Sequence, residues 1–535
     1  MTWDAVVIGA GPNGLVAANV LVDAGWSVLV LEAQPDVGGA VRSDSEVHPA
    51  FVHDTFSAFY PLAAVSPTIQ SFGLERHGLT WRHAPAVLGH PFPDGTWAVL
   101  HRDRDDTAAG LDQLHAGDGE AWLGLCAEWD QVGEHLVGAL LSPFPPVKHG
   151  LGTLAALRKV GGLGYAKTLL TPVTELGRQR FGGKGPRVLL GGNAAHADIP
   201  LDAPGSGLMG ILLCMLGQTV GFPVPEGGAG QLTQALAARL RAMGGEIRTG
   251  TEVVRVEVHE RRAVAVRTAE GERYAADRAV VADVLAPALY ERLLAPEDVP
   301  ERTRIALGAF DLDPGTVKVD WALDRPIPWT GAPERAPGTV HVADSIEAMN
   351  VAMSQVQAGA IPAEPFMLTG QMTTSDPSRS PAGTESFWAY AHVPQAVASD
   401  AGDGSVRGTW DHDDCERFAD RMQARVERLA PGFGDRVLAR RVLGPREMEA
   451  RDANLVGGAL NGGTAQLHQQ LVFRPVPGLG RAETPIAGLY LGSASAHPGG
   501  GVHGACGSNA ARAALLHARV RGAVPGPVRR ALGRG

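Results

Sequence analysis

"VVIGAGPNGLVAANVLVDAGWSVLVLE", Val6 to Glu32, decides the fold. The apolar run Ala5–Ile8 reads as a strand buried on both faces. It turns through Gly9, Gly11 and Gly14, and the alanine- and leucine-rich segment after Pro12 predicts a helix ending near Gly25. A second strand, Ser27–Leu31, delivers Glu32, 18 positions beyond Gly14. Each part suits a bound dinucleotide. Gly9 permits the turn, Gly11 lets the backbone approach a pyrophosphate, and Gly14 lets the helix pack on the strand. The helix start around Pro12 and Asn13 offers N–H groups and a dipole to the phosphates. Glu32, followed by Ala33, is expected to accept from ribose hydroxyls, which favours FAD or NAD over a 2′-phosphorylated nucleotide.

A chain of 535 residues exceeds what one hydrophobic core usually organises, so two domains are expected. With 44% hydrophobic and 19% charged residues, the composition is that of a soluble globular protein. A net charge of −10 argues against nucleic acid or an anionic membrane surface as the main partner, since either would call for a basic field. The first strand starts by residue 5, leaving no room for a leader, so a cytoplasmic location is expected. Cys126, Cys214, Cys415 and Cys506 are far apart, which gives neither a zinc finger nor a redox dithiol. The apolar stretch Gly207–Phe222 is interrupted by Gln218 and Thr219 and reads as a buried helix, too short to span a membrane.

After Glu32 the βα alternation stops. Residues 71–224 read as prolines and short apolar runs over Trp81–Leu100 followed mainly by helices from about Asp112 to Leu216. From 225 the pattern returns: a helix with Leu232, Ala235, Leu236, Leu240 and Met243 on one apolar face, then strands over Glu252–Val258, Ala263–Thr268 and Ala279–Ala282. Residues 301–449 mix strand-like runs, "TVKVDWAL" and "SFWAYAHV", with a helix over about Asp414–Leu429. "IAGLYLGSASAHPGGGVHGACGSNAARAALLHARV" closes the chain as strand, glycine-rich turn and helix. The reading is an α/β protein: a Rossmann-type, glutathione reductase-like nucleotide domain from discontinuous segments 1–70, 225–300 and 450–535, with an inserted α+β substrate domain from 71–224 and 301–449. The tail Gly522–Gly535 shows no periodicity and reads as frayed.

The N-terminal motif, "GGAVRS" after it, the central "PEGGAGQLTQAL" and the closing "GLYLGSASAHPGGGVHGACGSNAA" together resemble the FAD-dependent, phytoene desaturase-like branch of the amine oxidase superfamily. The run "QQLVFRPVPG" and onward is similar to the subgroup named for pyridine nucleotide-disulfide oxidoreductase domain-containing protein 2. The resemblance implies FAD as cofactor, with Gly9, Gly11 and Gly14 at the pyrophosphate and Glu32 at the adenosine ribose. It implies that Gly38, Gly39 and Arg42 lie along the phosphate and ribityl side, and that Val253 meets the adenine. Gly492 and the turn Gly499–Val502, with Gly500, Gly501 and Val502, would approach the pyrophosphate and flavin. It further implies a lipophilic substrate, with oxygen or a quinone accepting the electrons and at most peripheral membrane contact. Two features depart from the pattern. No close cysteine pair supports disulfide chemistry, and His503 stands where carotenoid desaturases often carry proline. "GGLGYAK" at Gly161 follows no strand, so no second nucleotide site is expected.

Flavin oxidations of this kind need a hydride over N5 and sometimes a proton-handling group. His497, before the last helix, and His196 are the candidate catalytic histidines; each could equally be a hydrogen-bonded loop residue. His53, Asp54 and Asp198 have similar standing. Arg474 could meet a polar substrate end or brace its turn through an ion pair. Asp411–Cys415 sits at a helix start, where acids usually cap, so no metal is expected. The expected activity is dehydrogenation of an apolar substrate. An amine oxidase, a redox-neutral isomerase and an FAD-bound scaffold are the alternatives.

Overall fold

The structure, a computed structural model, describes residues 2–523; the tail from 524 lies outside them. Ala5–Ile8 are buried because their strand, Thr2–Ile8, has a parallel partner on each side. Val6 lies opposite Leu29 of Val28–Leu31 and opposite Val280 of Arg273–Ala282. Glu246–Arg248 extends this sheet beyond Val28–Leu31. Val253–His259, Arg262–Thr268 and the first half of Arg273–Ala282 form an antiparallel meander. The second half of that long strand pairs in parallel with Leu489–Leu491, so the chain's last strand joins its first in one seven-stranded sheet.

Helices Pro12–Asp23, Gly230–Ala242 and Ala505–Ala523 pack on one face of this sheet. Proline at the first helical position costs nothing there, because its missing N–H would have no intrahelical partner. The buried Asn19 ties two of the helices, donating from Nδ2 to the carbonyls of Leu15 and Leu236. The apolar face expected over 232–243 holds through Leu240 and then ends. The helix stops at Ala242 and Met243 is exposed as its cap, because Gly244 takes a positive φ of 89° and turns the chain.

A second seven-stranded sheet runs in the order Val437–Leu443, Gly315–Leu323, Glu385–Val393, Met367–Gln371, Pro337–Val342, Ala86–Pro91, Trp97–Leu100. The two runs expected as strands from "TVKVDWAL" and "SFWAYAHV" pair along their full length, from Gly315 opposite Val393 to Leu323 opposite Glu385. A helical layer drawn from residues 104–219 covers part of this half. Within it Ser206–Thr219 packs so tightly on Lys184–Ala195 that a Cβ at Gly210 would lie 2.6 Å from the Leu190 carbonyl oxygen. Gln218, the polar break in that apolar run, is satisfied inside the core, accepting from Trp122 Nε1 and donating to Thr107 Oγ1. No described helix is long and apolar enough to cross a membrane.

Candidate functional site

The carboxyl ends of the parallel strands open into a cleft enclosing about 1400 Å³, solvent-connected space included. Its lining includes Glu32, Ala33 and Val253 together with Ser493–Ser495, Gly462, Gly501 and Val502. Gly9, Gly11, Pro12, Asn13 and Gly39 add a glycine-rich floor to it. The floor admits no larger residues. A Cβ at Gly11 would stand 2.9 Å from Asp283 Oδ2, and one at Gly39 would stand 3.1 Å from Gly11 Cα.

Five residues expected at the cofactor do not line this cleft, and packing explains each. A Cβ on Gly14 would lie 2.2 Å from the Gly9 carbonyl oxygen, so that glycine serves helix-on-strand contact. Gly492 packs against Val281 and Ala510. Gly38 sits under the Val41 carbonyl, its N–H given to Ala10 O. Gly500 lies against the Asn461 side chain. Arg42 donates from Nη2 to the Arg451 carbonyl at 2.8 Å, which makes it a brace behind the wall.

The wall also contains groups that the motif does not announce: Asp283, Arg292, Arg451, Asp452 and Asn454. Asp283 Oδ2 accepts the Gly14 N–H at 2.8 Å, so one of the amides expected to be free for phosphate is already taken. Asn454 clamps the same corner, accepting from Leu285 N and donating to Asp283 O. Glu32 is held by two backbone amides, from Ala10 at 2.6 Å and Gln34 at 2.9 Å. Burial raises the carboxyls of Glu32 and Asp452 above their ordinary range and pushes Asp283 up to about 7. Three carboxyls thus share a cleft in which each disfavours charge on the others, with Arg292 and Arg451 as the cations of the wall.

The candidate histidines lie apart from this lining. His497 is buried, its Nε2 within 3.1 Å of Ser142 O and its ring edge-on to Phe144. His196 meets His341, Nε2 to Nε2 at 3.0 Å. Burial lowers both, His196 to about 4, so each is neutral near pH 7. Asp198, at a positive φ of 58°, stands 2.6 Å from His392 Nε2 off the line of the ring N–H, and accepts from Asn461 Nδ2 at 2.5 Å. Burial works against a charged His392, but Asp198 outweighs it and raises the imidazole. His53 contacts Trp321 O, and Asp54 pairs with the buried Arg379. Arg474 braces its turn, but not through the ion pair expected as one alternative: it donates to the carbonyl oxygens of Asn461, Thr464 and Ala494, and no described acid pairs with it. Asp411 caps the helix His412–Leu429 by accepting from Asp414 N at 3.0 Å.

Residues 7–72 match the family described as NAD(P)-binding Rossmann-like domain, and residues 167–320 the one described as flavin containing amine oxidoreductase. The chain is 30% identical to pyridine nucleotide-disulfide oxidoreductase domain-containing protein 2 of Mus musculus, over 95% of this chain and 92% of that protein. It is 25% identical to the neurosporene-forming phytoene desaturase of Rhodobacter capsulatus, over 94% and 92%. Among solved structures, wild-type putrescine oxidase bound to putrescine aligns at a TM-score of 0.61 and 18% identity, covering 97% of this chain and 99% of that one. That last likeness concerns the fold alone. This chain is an FAD-dependent oxidoreductase and belongs to the flavin-containing amine oxidase superfamily, alongside the mouse protein and the phytoene desaturases.

Proposed function

We propose that the enzyme dehydrogenates a largely apolar substrate, and that FAD lies along the cleft with its adenosine between Glu32 and Val253 and its flavin toward Gly501 and Val502. The observation that carries this is the lining itself. Segments remote in sequence converge on one groove whose glycine floor leaves room for a backbone-hugging chain, and Asn13 Oδ1 in that groove has no partner among the described residues. When bound, FAD supplies the acceptor for a substrate hydride. The chain's own groups then do three things. Glu32 receives the ribose hydroxyls, the start of helix Pro12–Asp23 faces the phosphates, and Leu455, Leu460, Ala494 and Val502 keep water from the rest of the cleft. Oxygen or a quinone would remove the electrons afterwards. His196 and His497, neutral and outside the cleft lining, are given no step in this reading.

The apolar substrate is supported by the name of the phytoene desaturase relative. An amine oxidase is the second reading; it calls for an aromatic pair beside the flavin, and the stacked pair Trp388 and Tyr390, with planes 10° apart, does not line the cleft. Their centroids are 5.9 Å apart, whereas a carbon held between two rings needs about 7 Å, twice a van der Waals contact. The pair as it stands admits no amine between its faces. The test is anaerobic addition of NADH, NADPH, simple amines and a cell lipid extract to the purified protein while its flavin absorption is followed. Bleaching by the lipid extract alone supports the proposal. Bleaching by amines and not by lipid would replace it with the second reading.

A further inference from the structure

The helical layer meets the second sheet across a row of side chains that strand register brings together. His341 lies opposite Leu368, and Leu368 opposite Tyr390, on adjacent antiparallel strands, so all three point to one face of the sheet. His392, two residues beyond Tyr390, shares that face. The face packs on the helical layer, because Leu368 belongs to one core cluster with Leu190, Leu213 and Phe222. His196, at the end of helix Lys184–Ala195, reaches this row through its contact with His341 and stands edge-on to Phe222. The polar atoms here are only partly used. Tyr390 Oη and His196 Nδ1 hydrogen-bond to no described residue, and neither atom is fully enclosed. Burial nonetheless lowers His196 to about 4 and raises Tyr390 well above its usual range, so the room they border is interior rather than bulk water. Phe59, Leu62 and Leu208 pack on the same core cluster and are themselves only half-buried. Leu62 joins this region to the cleft, since its Cδ1 lies 2.9 Å from where a Cβ on Gly501 would stand, and Gly501 lines the cleft.

Both unused atoms belong to groups that are neutral near pH 7, and this selects what they bind. A neutral imidazole has one N–H and one bare nitrogen, so His196 Nδ1 donates or accepts according to whether its Nε2 accepts from His341 or donates to it. Tyr390 Oη does both. A hydroxyl group therefore matches the pair whichever tautomer His196 takes, whereas a carbonyl oxygen, which only accepts, matches one tautomer alone. Ions fit badly. The carboxylate of Asp198 is near enough to push Tyr390 further up, and it would repel an anion. An ammonium would lose its hydration against neutral partners, with Asp198 already beside His392 at 2.6 Å.

We propose that Tyr390 and His196 anchor a hydroxyl group at one end of an otherwise apolar substrate. That the occupant is the substrate rests on the dehydrogenase reading, while the anchor itself is measured without turnover. The oxidised, flavin-loaded protein is equilibrium-dialysed at pH 7.5 against labelled 1-decanol, decane, decanoate and decylamine. Decanol is expected to bind at least about tenfold more tightly than either ion, because neither ion keeps its hydration in the site. Tyr390→Phe keeps the ring against Trp388 and removes only an oxygen that no described residue uses, so flavin content and melting temperature should hold. The variant should bind decanol about fivefold more weakly and decane as the parent does. The proposal is overturned if decanoate or decylamine binds as tightly as decanol, if the variant binds decanol as the parent does, or if decane weakens by the same factor. Any of these results, together with bleaching by the lipid extract, removes the anchor and leaves the dehydrogenase reading standing. The expected decanol results without such bleaching leave the anchor standing and remove that reading.

Discussion

Asp283 is the residue on which the cleft's electrostatics turn. Its carboxyl, ordinarily near 3.8, stands at about 7 in the folded protein because it is buried beside two other carboxyls. Between those values the folded state holds a proton that the unfolded state lacks. Stability is therefore full below about pH 4, falls as pH rises toward 7, and is level beyond. Asp283→Asn keeps an oxygen for the Gly14 N–H and removes the slope. It should stabilise the protein above pH 7, by on the order of 4 kcal/mol at most, and contribute little at pH 4. Melting temperatures of parent and variant at pH 5 and pH 8 check this, and an equal difference at both would contradict it. The motif glycines divide by the same kind of reasoning. Gly14→Ala drives a methyl into the Gly9 carbonyl and should cost about 1–3 kcal/mol of stability. Gly11→Ala presses on the buried Asp283 carboxyl and intrudes into the cleft, so it should lower FAD content at purification and lower the melting temperature by less than Gly14→Ala, whose methyl meets backbone.

At the scale of elements, local pattern and local structure agree where a signal is local. Asp411 reads as a helix cap from sequence and is one. Asp411→Ala should cost about 1 kcal/mol in urea unfolding, since it frees the Asp414 N–H at the start of an 18-residue helix. Replacement by Asn should restore most of that, and failure to restore would assign the loss to the Arg407 and Thr409 contacts instead. The first strand, helix and second strand were legible to within a few residues, because buried parallel strands and glycine turns declare themselves over short windows. The cleft wall was legible only in part. Arg292, Arg451 and Asn454 carry no local mark, since strand order alone brings them to the motif. Asp283 did have one: it follows directly on a recognised strand, Ala279–Ala282, and the carboxyl ends of strands beside a first-strand motif are where ligands sit. Gly38, Gly492 and Gly500 are ambiguous for the opposite reason, because a glycine required by packing looks in sequence like one required by a ligand.

Across the whole molecule the two sheets are joined by buried charge rather than by a linker. Asp54 accepts from Ser43 Oγ, from the backbone amide of Ala229 and from Arg379, and its carbonyl receives Lys318 Nζ. Arg379, fully buried, also holds Asp376, which in turn accepts the Gly227 N–H. Asp54 and residues 227–229 belong to segments that lead into the nucleotide half, whereas Lys318 and Arg379 belong to the second sheet and its flanking turn. Such an arrangement adds little net stability over apolar packing, but breaking it from one side is costly, because the partners remain buried and charged. Arg379→Met should therefore destabilise the protein by about 3–5 kcal/mol, and flavin release should precede the change in tryptophan emission on heating. Adding Asp54→Asn to that variant removes one stranded carboxylate and should recover part of the loss. Recovery would identify the uncompensated charge as the cause and the junction as electrostatic. If the double variant is no more stable than Arg379→Met, the arginine acts there through its packing, and the halves are held by shape.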